Sequence, residues 1–116
     1  MNWRSCNNMQ NALGLTDGDL AYIISVIGEF AEIKKAVVFG SRAKGNYKQG
    51  SDVDIAIFGD GISFSTIARL HGRLEEESPL PYFFDIVDYT HSTLQELKEH
   101  IDRVGKIILE RQSRQL

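Results

Sequence analysis

Cysteine is all but missing from this chain: Cys6 stands alone. No internal disulfide can form, and nothing in the composition points to an oxidising compartment. Proline is scarce too. Pro79 and Pro81 are the only two, and they lie close enough together to mark one break in the chain. There is no basic excess, because 13 Lys and Arg face 16 Asp and Glu for a formal charge of −3. That balance argues against a general nucleic-acid binder. No apolar run approaches the length of a membrane span. The opening "MNWRSCNNMQN" lacks the apolar stretch of a signal peptide, so a cytoplasmic protein is expected. What is present is an ordinary soluble composition, 42% hydrophobic and 25% charged over 116 residues. Such a chain can bury one core but has no room for a second, substrate-gripping domain.

Residues 1–14 show no period and read as a flexible arm, 15–110 as one domain, and 111–116 as a polar tail. "LTDGDLAYIISVIGEF" predicts a helix with Thr16 as N-cap and Asp19 near the positive end of its dipole. Leu20, Ile23, Ile24, Ile27, Phe30 and Ala31 form its apolar stripe. "KAVVFG" predicts a short buried strand ending at Gly40, and "SRAKG" about one helical turn capped by Gly45. "DVDIAIF" alternates as a strand. Residues 63–77 predict a second long helix with Phe64, Ile67, Ala68, His71 and Leu74 on its apolar side, closed by the prolines. "YFFDIVDY" predicts a third strand. A last helix begins near residue 92, with Leu94, Leu97, Ile101, Val104 and Ile108 at helical spacing. It is expected to run through Gly105 at a cost of about 1 kcal/mol, with a strand over "KIILE" as the rival. The order implies an α/β or α+β domain, a small mixed sheet with helices packed on it.

Asp52 and Asp54, at i and i+2 of a strand, must share a face. Two carboxylates side by side repel unless something positive sits between them. A hard cation such as Mg²⁺, held by a few carboxylates, waters and substrate phosphates, meets that need. The third strand offers Asp85 and Asp88, which point to opposite faces, so only one can join the pair. Asp85 is the better third ligand, because it lies in the middle of an apolar run where an uncompensated charge would be expensive. Three converging carboxylates can hold two metal ions for phosphoryl or nucleotidyl transfer. A bare D-x-D more often means a capped turn and an exposed aspartate, but its neighbours change the reading. Gly40 lets a phosphate approach the backbone, while the N–H groups and hydroxyl at Ser41 supply donors, and Arg42 and Lys44 add positive charge. A phosphate cradle and a carboxylate pair so close together describe a site for a nucleoside triphosphate with its Mg²⁺.

These residues carry a resemblance. Gly40-Ser41, ten intervening residues and Asp52-x-Asp54 match the signature of the DNA polymerase β-like nucleotidyltransferase superfamily. The fuller "GSRAKG…SDVDIAIF" with "FDIVDY" downstream resembles the minimal nucleotidyltransferases of bacteria and archaea, over roughly residues 16–110. The resemblance implies a nucleotidyltransferase fold. Catalysis and metal binding would fall to Asp52, Asp54 and Asp85, and nucleotide binding to Gly40, Ser41, Arg42, Lys44 and Ser51. It implies two Mg²⁺ ions, with Mn²⁺ as a substitute, and transfer of AMP from ATP with release of pyrophosphate. It also implies an antitoxin role beside a small helical HEPN-type toxin, with a tyrosine of that partner as acceptor. Two other functions compete. One is a nucleotide-binding module that neutralises its partner by docking alone; the other is an adenylyltransferase with a small-molecule acceptor.

The remaining polar candidates are weaker. His71 reads as a packed core histidine, and His91 and His100 as solvated ones without zinc-like spacing. Tyr47 precedes the aspartate pair and is as well explained by an exposed loop as by stacking on a base. Trp3 and Cys6 lie in the arm without a partner. The end of the last helix, at Ile107, Ile108 and Leu109, is the candidate contact with a second chain, a helical partner or a copy of itself; packing on its own core explains it equally well.

Overall fold

Each apolar pattern finds its own side of a four-stranded sheet. The computed structural model describes residues 14–44, 52–77, 80 and 82–111, with Ser41 and Lys44 described by backbone alone. Helix α1 (Asp17–Gly28) starts at Thr16, whose hydroxyl accepts the Asp19 N–H at 3.0 Å. It leads to β1 (Lys35–Phe39), a single helical turn α2 (Ser41–Lys44) and β2 (Val53–Phe58). Helix α3 (Phe64–Glu75), β3 (Phe84–Asp88), α4 (Gln95–Val104) and β4 (Lys106–Glu110) complete the order. The strands lie β3-β2-β1-β4, with β1 antiparallel to β2 and β4 and β2 parallel to β3. This is an α+β fold with a mixed sheet. Among the described residues no helix is long and apolar enough to cross a membrane.

Alternation sorts the two faces. Val38, Val53, Ile55, Ile57 and Phe84 point to one side, where α1 and α3 cover them in the main core. Val37, Phe39 and Ala56 point to the other, where Ile101 of α4 closes a smaller cluster. Each of the larger of these side chains removed from water contributes about 1.5–3 kcal/mol.

Three expectations change. The last helix stops at Val104 and residues 106–110 form a strand. Gly105 takes an extended conformation there, and a Cβ on it would collide with Val37 and the Ile101 carbonyl. A helix through that point would lack the close passage over β1 that only glycine allows. Second, α3 is rotated relative to the expected stripe. Thr66, Leu70 and Leu74 are buried, whereas Phe64 and Ala68 are exposed. Ser63 and Thr66 form a reciprocal cap that fixes where the helix starts, and Thr66 also donates to Glu32 Oε2 at 2.9 Å. His71 is half-exposed and sits 2.9 Å from Glu75 Oε2, so it is not a core histidine. Third, Ile108 is buried and Leu109 packs against the main core, leaving Ile107 exposed. The pairing of β4 with β1 shifts between Ala36 and Val37. That bulge inserts one residue and turns two neighbours, Ile108 and Leu109, toward the same side. The expected contact at the chain's end therefore reduces to Ile107.

Candidate active site

The open end of the α4-covered face gathers the acidic residues. β2 runs between β1 and β3, and Asp54 is registered with Phe39 on one side and Asp85 on the other. Registered partners share a face, so Asp54 and Asp85 stand next to each other, and Asp52 lies one step beyond on the same side. Asp88 registers with Ile57 and therefore faces the opposite way. Its carboxylate accepts the His91 backbone N–H at 3.2 Å and meets the His91 ring at 2.8 Å. His91 is solvent-exposed, as expected of it, and has a carboxylate partner besides.

Asp85 does not sit in the environment expected of it. It is exposed, because β3 is an edge strand and α4 covers this face only further along. Asp54 is the partly buried member of the set. Burial, then the charges of Asp85 and Asp52, push its carboxyl up to about 6. Three negative charges are thus brought together here. Among the described residues no three carboxylate, histidine or cysteine side chains converge into a finished metal cage. Asp52 and Asp85 are both exposed to solvent. The donor set is all oxygen and anionic, which fits a hard divalent ion.

Gly40 ends β1 beside this group with φ +78, and a Cβ built on it would fall on Asp54 Oδ2. The glycine is therefore needed twice, for its left-handed backbone and for the room it leaves the carboxylate. Sequence reasoning found only the bare approach to the backbone. Arg42 is buried and turned inward, donating to the Gly14 carbonyl at 3.3 Å with its guanidinium 5.1 Å from the centre of the Tyr82 ring. Tyr82 in turn donates to Asp19 at 2.7 Å, which ties α2 and the approach to β3 back to α1. Gly45, Tyr47, Ser51, Trp3 and Cys6 lie outside the described residues, as do the side chains of Ser41 and Lys44. His100 meets the Phe39 ring edge-on at 6.2 Å, at the margin of the site.

One neighbour was missed by sequence reasoning. The Val53 N–H donates to the Phe83 carbonyl at 2.9 Å, which extends the parallel pairing by one step and sets Phe83 beside Asp52. The signal was available, since Phe83 stands two residues before Asp85 in a strand.

Comparison with known proteins gives the family and the fold. Residues 21–114 match the family described as "Polymerase beta, Nucleotidyltransferase". A Haemophilus influenzae protein named "Probable protein adenylyltransferase MntA" is 31% identical over 101 residues, spanning 86% of this chain and 87% of that protein. A crystal structure described as a toxin-antitoxin with AMP-PNP superposes with a TM-score of 0.68 at 23% identity, over 80% of this chain and 74% of that one. A second, a complex of tri-AMPylated Shewanella oneidensis HEPN toxin with MNT antitoxin, gives 0.62 at 20% identity over 79% and 70%. At these identities the two structures speak for the fold.

Proposed function

We infer the chemistry from the family: this chain belongs to the polymerase β nucleotidyltransferase family, and we propose that it transfers AMP from ATP to a tyrosine of a HEPN-type helical partner, as an antitoxin. The observation that carries the proposal is Asp54 and Asp85 side by side on adjacent strands of one face, with Gly40, just past the end of β1, lying against Asp54. Asp52, Asp54 and Asp85 would hold Mg²⁺, two ions in this reading, with Mn²⁺ as a substitute. Bound there, such ions supply neutralisation of the phosphate charge and a clamp on the attacking and leaving oxygens.

The chain's own residues do the rest. Gly40 leaves the backbone bare, and the N–H groups that follow it donate to the triphosphate. Ser41, Lys44 and Ser51 are assigned to the same phosphates from the motif. Arg42 contributes by bracing α2 from behind, through Gly14 and Tyr82. The attacking hydroxyl enters in line, opposite the departing pyrophosphate. A new bond forms from its oxygen to the α-phosphorus while the bond from that phosphorus to the bridging oxygen breaks. The hydroxyl proton passes to a carboxylate oxygen of Asp85, which is exposed on the side away from Gly40. The names of the Haemophilus protein and of the AMPylated complex support a protein hydroxyl as acceptor.

The test pairs binding with transfer. ATP should bind more tightly with Mg²⁺ than with a chelator, and a purified HEPN-type protein should gain the mass of AMP on tyrosine. Asp54→Asn should abolish the transfer in a folded protein. Equal ATP affinity with and without metal, or near-normal turnover by Asp54→Asn, would defeat the proposal.

A further inference from the structure

We propose that Phe83 is the acceptor-side contact of this site, stacking on the aromatic ring of the incoming tyrosine so that its hydroxyl points at the carboxylates. The inference rests on the transfer reading above and adds the residue that receives the acceptor. Phe83 is 69% exposed, an apolar ring open to solvent. Its neighbours Tyr82 and Phe84 meet edge-to-face at 6.4 Å and pack on the main core. Alternation then sends the Phe83 ring to the opposite face, the one that carries Asp54 and Asp85.

Its backbone is held on both sides. The Phe83 carbonyl accepts from Val53, and the next peptide N–H donates to Glu75 Oε2 at 2.7 Å. The ring itself has no aromatic or cationic partner among the described residues. The other phenylalanines of this face do: Phe39 meets His100, and Phe58 stacks on Tyr89 at 4.2 Å. A fixed backbone carrying an uncovered ring is a prepared stacking surface, because little order is lost when a second ring settles on it. Phe64 is more exposed still, at 85%, but it lies in the first turn of α3, on the layer behind the sheet.

The order of the strands identifies the occupant. Gly40, where the phosphates are assigned, ends β1, the aspartate pair is on β2, and Phe83 and Asp85 are on β3. In-line displacement requires the attacking oxygen to arrive from the side opposite the leaving group. That side is β3. Phe83 and Asp85 are two residues apart, about 6.5 Å along an extended strand, so a ring resting on the first can present its hydroxyl to the second. A nucleobase would be the competing occupant, and the experiment separates the two.

The protein is loaded with Mg²⁺ and a non-hydrolysable ATP analogue, and N-acetyl-tyrosinamide is titrated in by NMR. The wild type should bind it, and N-acetyl-leucinamide far less. Phe83→Ala should weaken N-acetyl-tyrosinamide binding between about fivefold and a hundredfold, the range seen when a stacking ring is removed. Phe83→Trp should retain binding. Affinity for the ATP analogue, measured by calorimetry, should be the same in all three proteins. Weaker analogue binding by Phe83→Ala would assign the ring to the nucleobase and overturn the proposal. Equal N-acetyl-tyrosinamide binding by wild type and Phe83→Ala, or none by the wild type, would overturn it as well. If the wild type fails to bind the analogue with Mg²⁺, the nucleotide reading itself falls, a result distinct from the others.

Discussion

Replacing Asp54 by asparagine should make the metal-free protein more stable at neutral pH while removing its activity. Asp54 is ionised there at a cost, because it is partly buried between Asp52 and Asp85 and its carboxyl is pushed from 3.8 to about 6. The folded-state value lies above the unfolded one, so the associated stability is fully present below 3.8 and is lost as the pH rises through about 6. A rise of that size corresponds to about 3 kcal/mol. The carboxylate is partly open to water and its two charged neighbours are exposed, so solvent screening reduces the expected effect to roughly 1–1.5 kcal/mol. Asparagine keeps the shape and deletes the charge. Urea or thermal denaturation in chelator, at about pH 4 and about pH 7.5, should show the variant gaining on the wild type only at the higher pH, by about 4–6 °C in Tm. Adding Mg²⁺ at the higher pH should raise the wild type and leave the variant unchanged. An advantage of equal size at both pH values, or a variant less stable than wild type at neutral pH, would refute the electrostatic reasoning.

Further substitutions test the parts around the site. Gly40→Ala should cost about 1–3 kcal/mol through its positive φ, and by crowding Asp54 it should weaken metal-dependent ATP binding; a fully stable variant with normal binding would contradict the geometry at that turn. Gly105→Ala, which drives a methyl group into Val37 and the Ile101 carbonyl, should destabilise by about 1–3 kcal/mol in chemical denaturation. Ile108→Ser should cost about 2–5 kcal/mol because that side chain is enclosed, whereas Ile107→Ser should stay within about 0.5 kcal/mol of wild type; equal effects would mean the bulge is misplaced.

Several features were legible in the chain itself because they are set by near neighbours. The two-residue period put Asp52 and Asp54 on one face wherever the strand might lie. Thr16 announced the start of α1 through a cap that needs only three residues. The Gly40-Ser41 pair marked a turn for the same local reason. The parity of Asp85 and Asp88 allowed only one of them to join the pair, but the burial argument for choosing Asp85 failed, since Asp85 is exposed. What aligns Asp85 with Asp54 is the register of two strands separated by a helix, and a slip of one residue would have turned Asp88 to that face. The same holds for the bulge that buries Ile108 and Leu109 together, for the rotation of α3 that exposes Phe64, and for the break at Gly105. Periodicity says which residues travel together. Which neighbour they meet depends on how distant segments pack, and that is why Gly40 lies against Asp54 and why Phe83 stands uncovered beside the carboxylates.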